Sequence, residues 1–130
     1  MPHSRVVEIR GQQQFDSLVQ EASQRNTVVV VDFSAKWCGP CKMMSPYFAQ
    51  LSESYPDVMF LKVDVDTNEA LAAECAVTAM PTFAVISQGD KVGEIVGADK
   101  DKLRQLVEKW KPGGEASAER LSRGPQQVLA

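Results

Sequence analysis

The chain of 130 residues has only three cysteines and one histidine. So few cysteines, and an odd number of them, do not build the disulfide framework of a small secreted domain. No apolar run approaches the ~20 residues that cross a bilayer as a helix. The longest, Val28 to Val31 ahead of Asp32 and Phe33, has the length of a buried strand. Met1 to Arg5 leads into a strand-like segment without the apolar stretch of a signal peptide. The expected location is therefore the cytoplasm, where thiols are kept reduced, with no membrane partner. Positive charge is not in excess: 14 Lys and Arg stand against 17 Asp and Glu, a net −3. A nucleic-acid backbone is thus not an expected partner. Internal repeats and low-complexity tracts are also missing. What remains is an ordinary globular composition, 44% hydrophobic and 24% charged. The length is that of one domain with a proper core.

The hydrophobic pattern alternates between two periods. Arg5–Arg10 reads as a short strand. Phe15, Leu18, Val19 and Ala22 then recur at helical spacing. Thr27–Phe33 is apolar on both faces, as in a central strand covered by helices. Met44, Tyr47, Phe48 and Leu51 return to helical spacing, and Tyr55-Pro56-Asp57 closes that helix. Val58–Val65 is the next strand. Asp66 or Thr67 can cap a short helix that runs to Cys75. Thr82–Ser87 and Lys91–Val96 read as a hairpin across Gln88-Gly89-Asp90. Asp99 can cap a last helix carrying Leu103, Leu106, Val107 and Trp110 on one face. The order βαβαβαββα predicts an α/β fold, a mixed sheet with helices on both faces. The domain is expected to span residues 1–110. Residues 111–130, rich in Gly and Pro, read as a disordered tail with at best a short helix near 116–123.

Cys38-Gly39-Pro40-Cys41 lies where the central strand gives way to a helix. Unpaired N–H groups and the positive end of the helix dipole stabilise an anion there, so Cys38 is expected to be an acidic, nucleophilic thiol. Cys41, three residues on, can reach back and resolve a mixed disulfide. Gly39 permits close approach of a partner chain, and Pro40 stiffens the spacer and fits the first helical turn. The same pair could be half a zinc site. Only Cys75 and His3 remain as ligands, however, and neither has the spacing of a second half-site, so no metal is expected. A purely structural disulfide is disfavoured by the short loop and the reducing compartment.

Asp32 interrupts the driest strand, six residues before Cys38. A buried, ionised carboxylate without a partner is costly, so its pKa is expected to rise. Such a carboxyl beneath Cys41 could accept its proton, with Lys62 on the neighbouring strand as a charge partner. Alternatively, Asp32 is half of a buried structural pair or a solvent-facing carboxylate at a strand end.

The run from Val30 through Asp32, Trp37, Cys38 and Cys41 to Lys42 resembles the active-site signature of the thioredoxin family. Lys62–Asp66, Ala79–Phe83 and Val96–Ala98 resemble its other markers, in order, over roughly residues 5–110. Ser34, where many bacterial members carry Trp, is similar to the eukaryotic cytosolic type. The resemblance implies the thioredoxin fold and general protein-disulfide reduction serving redox homeostasis, with no resident cofactor. It also implies recycling by an NADPH-dependent thioredoxin reductase. Substrates by resemblance are of the peroxiredoxin, ribonucleotide reductase and methionine sulfoxide reductase classes. Cys38 matches the nucleophile, Cys41 the resolving thiol, Asp32 the buried proton acceptor, and Gly39 and Pro40 the residues that tune the redox couple. Pro81 matches a cis-proline facing the cysteines, which frees the Met80 backbone to pair with substrate. Trp37, Gly39, Pro40, Ala79, Met80, Gly97 and Ala98 would form the docking patch.

Three further expectations concern the rest of the chain. Cys75 reads as a small half-buried residue or a regulatory thiol. Met43 and Met44 read as core. A monomer or weak dimer fits the apolar patch and the spare thiol. Two other functions compete with disulfide reduction. One is an isomerase of the disulfide isomerase family, disfavoured by Pro40, where that family carries His. The other is a binding module that uses the patch and not the sulfurs, disfavoured by the intact cysteine pair.

Overall fold

A computed structural model describes residues 4–117. Its elements are β1 (Val7–Glu8), α1 (Gln12–Gln24), β2 (Val29–Ser34), α2 (Gly39–Ser54), β3 (Met59–Asp64), α3 (Glu69–Glu74), β4 (Thr82–Ser87), β5 (Asp90–Val96) and α4 (Lys100–Trp110). They form one five-stranded sheet in the order β1-β3-β2-β4-β5. The left half, β1, β3 and β2, is parallel; β4 and β5 run antiparallel. This is the mixed sheet that the alternating periods predict.

Every residue of β2 is buried, because both faces are covered. Its odd positions, Val29, Val31 and Phe33, pack with Leu61 and Val63 against Phe15, Ala22 and Leu71. The even positions Val28 and Val30 pack with Phe60, Phe83 and Val85 against Met44, Phe48 and Leu51 of α2 and Leu103 and Val107 of α4. Asp32 has the parity of Val30, so the two-residue repeat of a strand aims it at α2.

Several local expectations are corrected. The first strand is two residues, not six, because Arg5 has other partners: its backbone N–H donates to Ser52 Oγ (2.9 Å) and its guanidinium to Ser52 O (2.6 Å). Neither Asp66 nor Thr67 caps α3. The N-cap is Asn68, and the Asp66 N–H is taken up by Asp64 Oδ1 at 2.9 Å. Met44 is fully buried but Met43 is 56% exposed, since adjacent helical positions cannot both face one core. Asp99 does cap α4, accepting from the Lys102 N–H at 3.0 Å.

Within the segment read as a tail, residues 111–117 turn back on the domain. Gly113 takes φ +82°, and Gly114 is buried so tightly that a Cβ would lie 2.5 Å from the carbonyl oxygens of Glu108 and Lys109. Ala116 packs on the α2/α4 core and Ser117 is buried. His3 and the rest of the tail, including the helix expected near 116–123 beyond Ser117, lie outside the described residues.

Candidate active site

The site forms where β2 ends and α2 begins. Cys38 is the N-cap of α2, with extended backbone, and its Sγ accepts a hydrogen bond from the Cys41 N–H at 3.2 Å. Gly39 and Pro40 supply the first turn, where proline's missing donor is not needed. Cys38 and Cys41 are joined as a disulfide with Cα atoms 5.3 Å apart. The two cysteine residues are more covered than an exposed nucleophile would suggest, at 6% and 3% relative exposure. They pack with Ala35, and Val65 and Met80 close over them. Trp37 is exposed, at 68%, and its indole N–H donates to Asp66 Oδ2 at 2.9 Å.

The Met80–Pro81 bond is cis, as the resemblance implies. Ala79 carries the carbonyl that Thr82 Oγ1 donates to, at 2.6 Å. Gly97, at φ +108°, donates its N–H to Pro81 O at 2.9 Å, which ties the end of β5 to the proline loop. Ala79 and Ala98 are exposed, and Met80 half-buried.

Asp32 is 1% exposed, and neither carboxylate oxygen accepts a hydrogen bond. Burial pushes its pKa up to about 7, against a smaller opposing pull from Lys62. Lys62 is the register neighbour of Asp32 on β3, but its ammonium donates to Ser45 Oγ at 2.9 Å. The expected charge partner therefore acts through space and not through a hydrogen bond. Cys41, Ser45 and Lys62 line one open groove of about 720 Å³. Cys75 is half-buried and in no disulfide, its thiol pushed up in pKa by burial and then by Glu74. Among the described residues no group of three or more His, Cys, Asp or Glu could hold a metal ion, and no helix is long and apolar enough to cross a membrane.

Three participants escaped the sequence reading. Ser45 was silent, although it stands one helical turn after Cys41. Asp66 reads from the sequence as a possible cap and as the end of the Lys62–Asp66 marker, not as the acceptor of the Trp37 indole N–H. Val65 reads as strand and as part of the same marker, not as packing against the cysteine pair.

A redox-active cysteine pair capping a helix at the end of a central parallel strand defines a dithiol–disulfide oxidoreductase. The Thioredoxin family model matches residues 6–109. Thioredoxin of Bos taurus is 49% identical over 102 residues, 78% of this chain and 95% of that protein. Thioredoxin H2-1 of Oryza sativa subsp. japonica is 43% identical over 115 residues, 88% and 83% of the two chains. Among solved structures, thioredoxin NaTrxh from Nicotiana alata superposes with a TM-score of 0.80 at 42% identity, covering 83% of this chain and 94% of its own. Thioredoxin from Schistosoma mansoni gives 0.76 at 43%, covering 83% and 99%. The chain belongs to the thioredoxin family, of the eukaryotic type. Its activity is protein-disulfide reduction, and its substrates are disulfide-containing proteins.

Proposed function

We propose that Cys38 is the attacking thiolate, Cys41 the resolving thiol and Asp32 the acceptor of the Cys41 proton. The observation that carries this reading is the placement of Cys38 at the N-cap of α2, joined to Cys41, on the strand end that also holds an unpaired buried Asp32. In the reduced protein the first-turn N–H groups and the helix dipole favour the Cys38 anion. Its sulfur bonds to one sulfur of a substrate disulfide, and the other leaves as a thiolate. Cys41 then passes its proton to Asp32 and bonds to Cys38, the electron pair of the mixed disulfide leaving on the substrate sulfur. The products are a reduced substrate and the Cys38–Cys41 disulfide. Gly39 and Pro40 set how readily that disulfide forms, and Lys62 moderates the Asp32 carboxyl.

Trp37, Ala79, Met80, Pro81, Gly97 and Ala98 form the surface on which an extended substrate segment docks. An NADPH-dependent thioredoxin reductase returns the protein to its dithiol. The substrates are of the peroxiredoxin, ribonucleotide reductase and methionine sulfoxide reductase classes, and the place of action is the cytoplasm. Residues 1–110 carry the activity.

Insulin reduction with dithiothreitol as electron source tests the assignment. Cys38→Ser is expected to abolish turnover. Cys41→Ser is expected to accumulate a covalent adduct with insulin, visible by non-reducing mass spectrometry. Turnover that survives Cys38→Ser would reject the assignment.

A further inference from the structure

Ser45 has no part in the reading above, yet its hydroxyl accepts a hydrogen bond from Lys62 Nζ at 2.9 Å. It lies four residues after Cys41, so both project from one face of α2, and both wall the same groove. Beneath that face the strand register places Glu8, Lys62, Asp32 and Phe83 side by side on β1, β3, β2 and β4. Asp32 accepts no hydrogen bond, so the influence of Lys62 on it depends on where the ammonium is held. A lysine head is a strongly hydrated point charge on a flexible stem, and an unrestrained one turns toward water. The groove offers such an escape. The residues that line it include Glu8 and Asp64, whose charge attracts an ammonium, and Lys36 and Lys42, whose charge repels it. Ser45 supplies a hydrogen bond that restrains the ammonium against α2.

We infer that Ser45 is a positioning residue for disulfide exchange, pinning the Lys62 ammonium over the row it shares with Asp32 while Asp32 receives the Cys41 proton. This rests on the reading of Asp32 as proton acceptor. The step it serves is balanced. The Cys41 S–H bond breaks, its proton goes to an Asp32 carboxylate oxygen, and the new Cys41 thiolate bonds to Cys38. The substrate sulfur leaves with the electron pair.

The test uses the full chain in its disulfide form, in which Cys38 and Cys41 do not titrate. Asp32 is followed by carbon-13 NMR. Ser45→Ala is expected to move the Asp32 midpoint upward, because the favourable charge recedes, and Ser45→Thr to restore it. In a Lys62→Met background Ser45→Ala is expected to change nothing more. A midpoint that stays or falls, or a rise that persists without Lys62, would overturn the tether. Single-turnover insulin reduction by the reduced Ser45→Ala protein is expected to slow about twofold at pH 7 and to recover at higher pH. A shifted midpoint with an unchanged rate would instead reject Asp32 as proton acceptor, and with it the positioning role.

Discussion

A single buried carboxyl makes stability depend on pH. The pKa of Asp32 is raised from 3.8 to about 7, chiefly by burial. Between these values the folded protein binds a proton that the unfolded chain releases. Stability is therefore highest, as far as this group is concerned, below about pH 4. It falls as pH rises and levels off above about pH 7, after a loss of up to about 4 kcal/mol. Asp32→Ala is accordingly expected to stabilise the protein at pH 8 by a few kcal/mol and to lose that advantage near pH 4, in urea denaturation at the two pH values. Slow resolution of the mixed disulfide should accompany the gain. Asp32, Cys38 and Cys41 were legible in the sequence because each breaks a local rule: a charge in an apolar strand, and two thiols one turn apart. Ser45 and Asp66 break none. Their partners, Lys62 and Trp37, lie 17 and 29 residues away in the chain, and only folding brings them together.

The helices differ in how openly they announce their ends. Asp99 stands directly before the apolar face of α4, and it accepts the Lys102 N–H as expected. Replacing it with alanine is expected to cost about 1 kcal/mol, read as a lower thermal midpoint with disulfide-exchange activity intact. Ahead of α3 the same residue types mislead. Asp64 captures the Asp66 N–H in a local turn, Asn68 donates its side-chain amide to Asp64 O at 3.0 Å, and the helix starts two residues later than a cap at Asp66 would place it. β1 is shorter than its sequence predicts for a related reason. Its valines fit a strand, but Arg5 is committed to Ser52 at the end of α2, a long-range contact that propensity cannot report. The helix α2 was placed well because Pro40 and the Met44, Phe48, Leu51 stripe mark its start and its buried face.

At the scale of the molecule, one sheet divides two cores. Phe48 fastens the site-bearing helix to one of them by packing on Phe60 at 5.2 Å and on Phe83 at 5.7 Å between ring centroids. The two-sided cover of β2 was readable from its apolar run, and the mixed character of the sheet followed from alternating periods and a hairpin. The return of residues 111–117 was not readable, since glycine and proline mark a turn without saying what it packs on. Gly114 makes that return possible, and Gly114→Ala is expected to dislodge it at a cost of roughly 1–3 kcal/mol, lowering the thermal midpoint while insulin reduction persists. The sheet's borders carry a different consequence. One is only two residues long, and the other is interrupted by an irregularity opposite Val85 and Ile86 and carries the Lys91–Glu94 ion pair. Neither border offers a long, flat template to a stray chain. Copies of the chain crowded together are thus denied the edge-to-edge pairing from which fibrils grow.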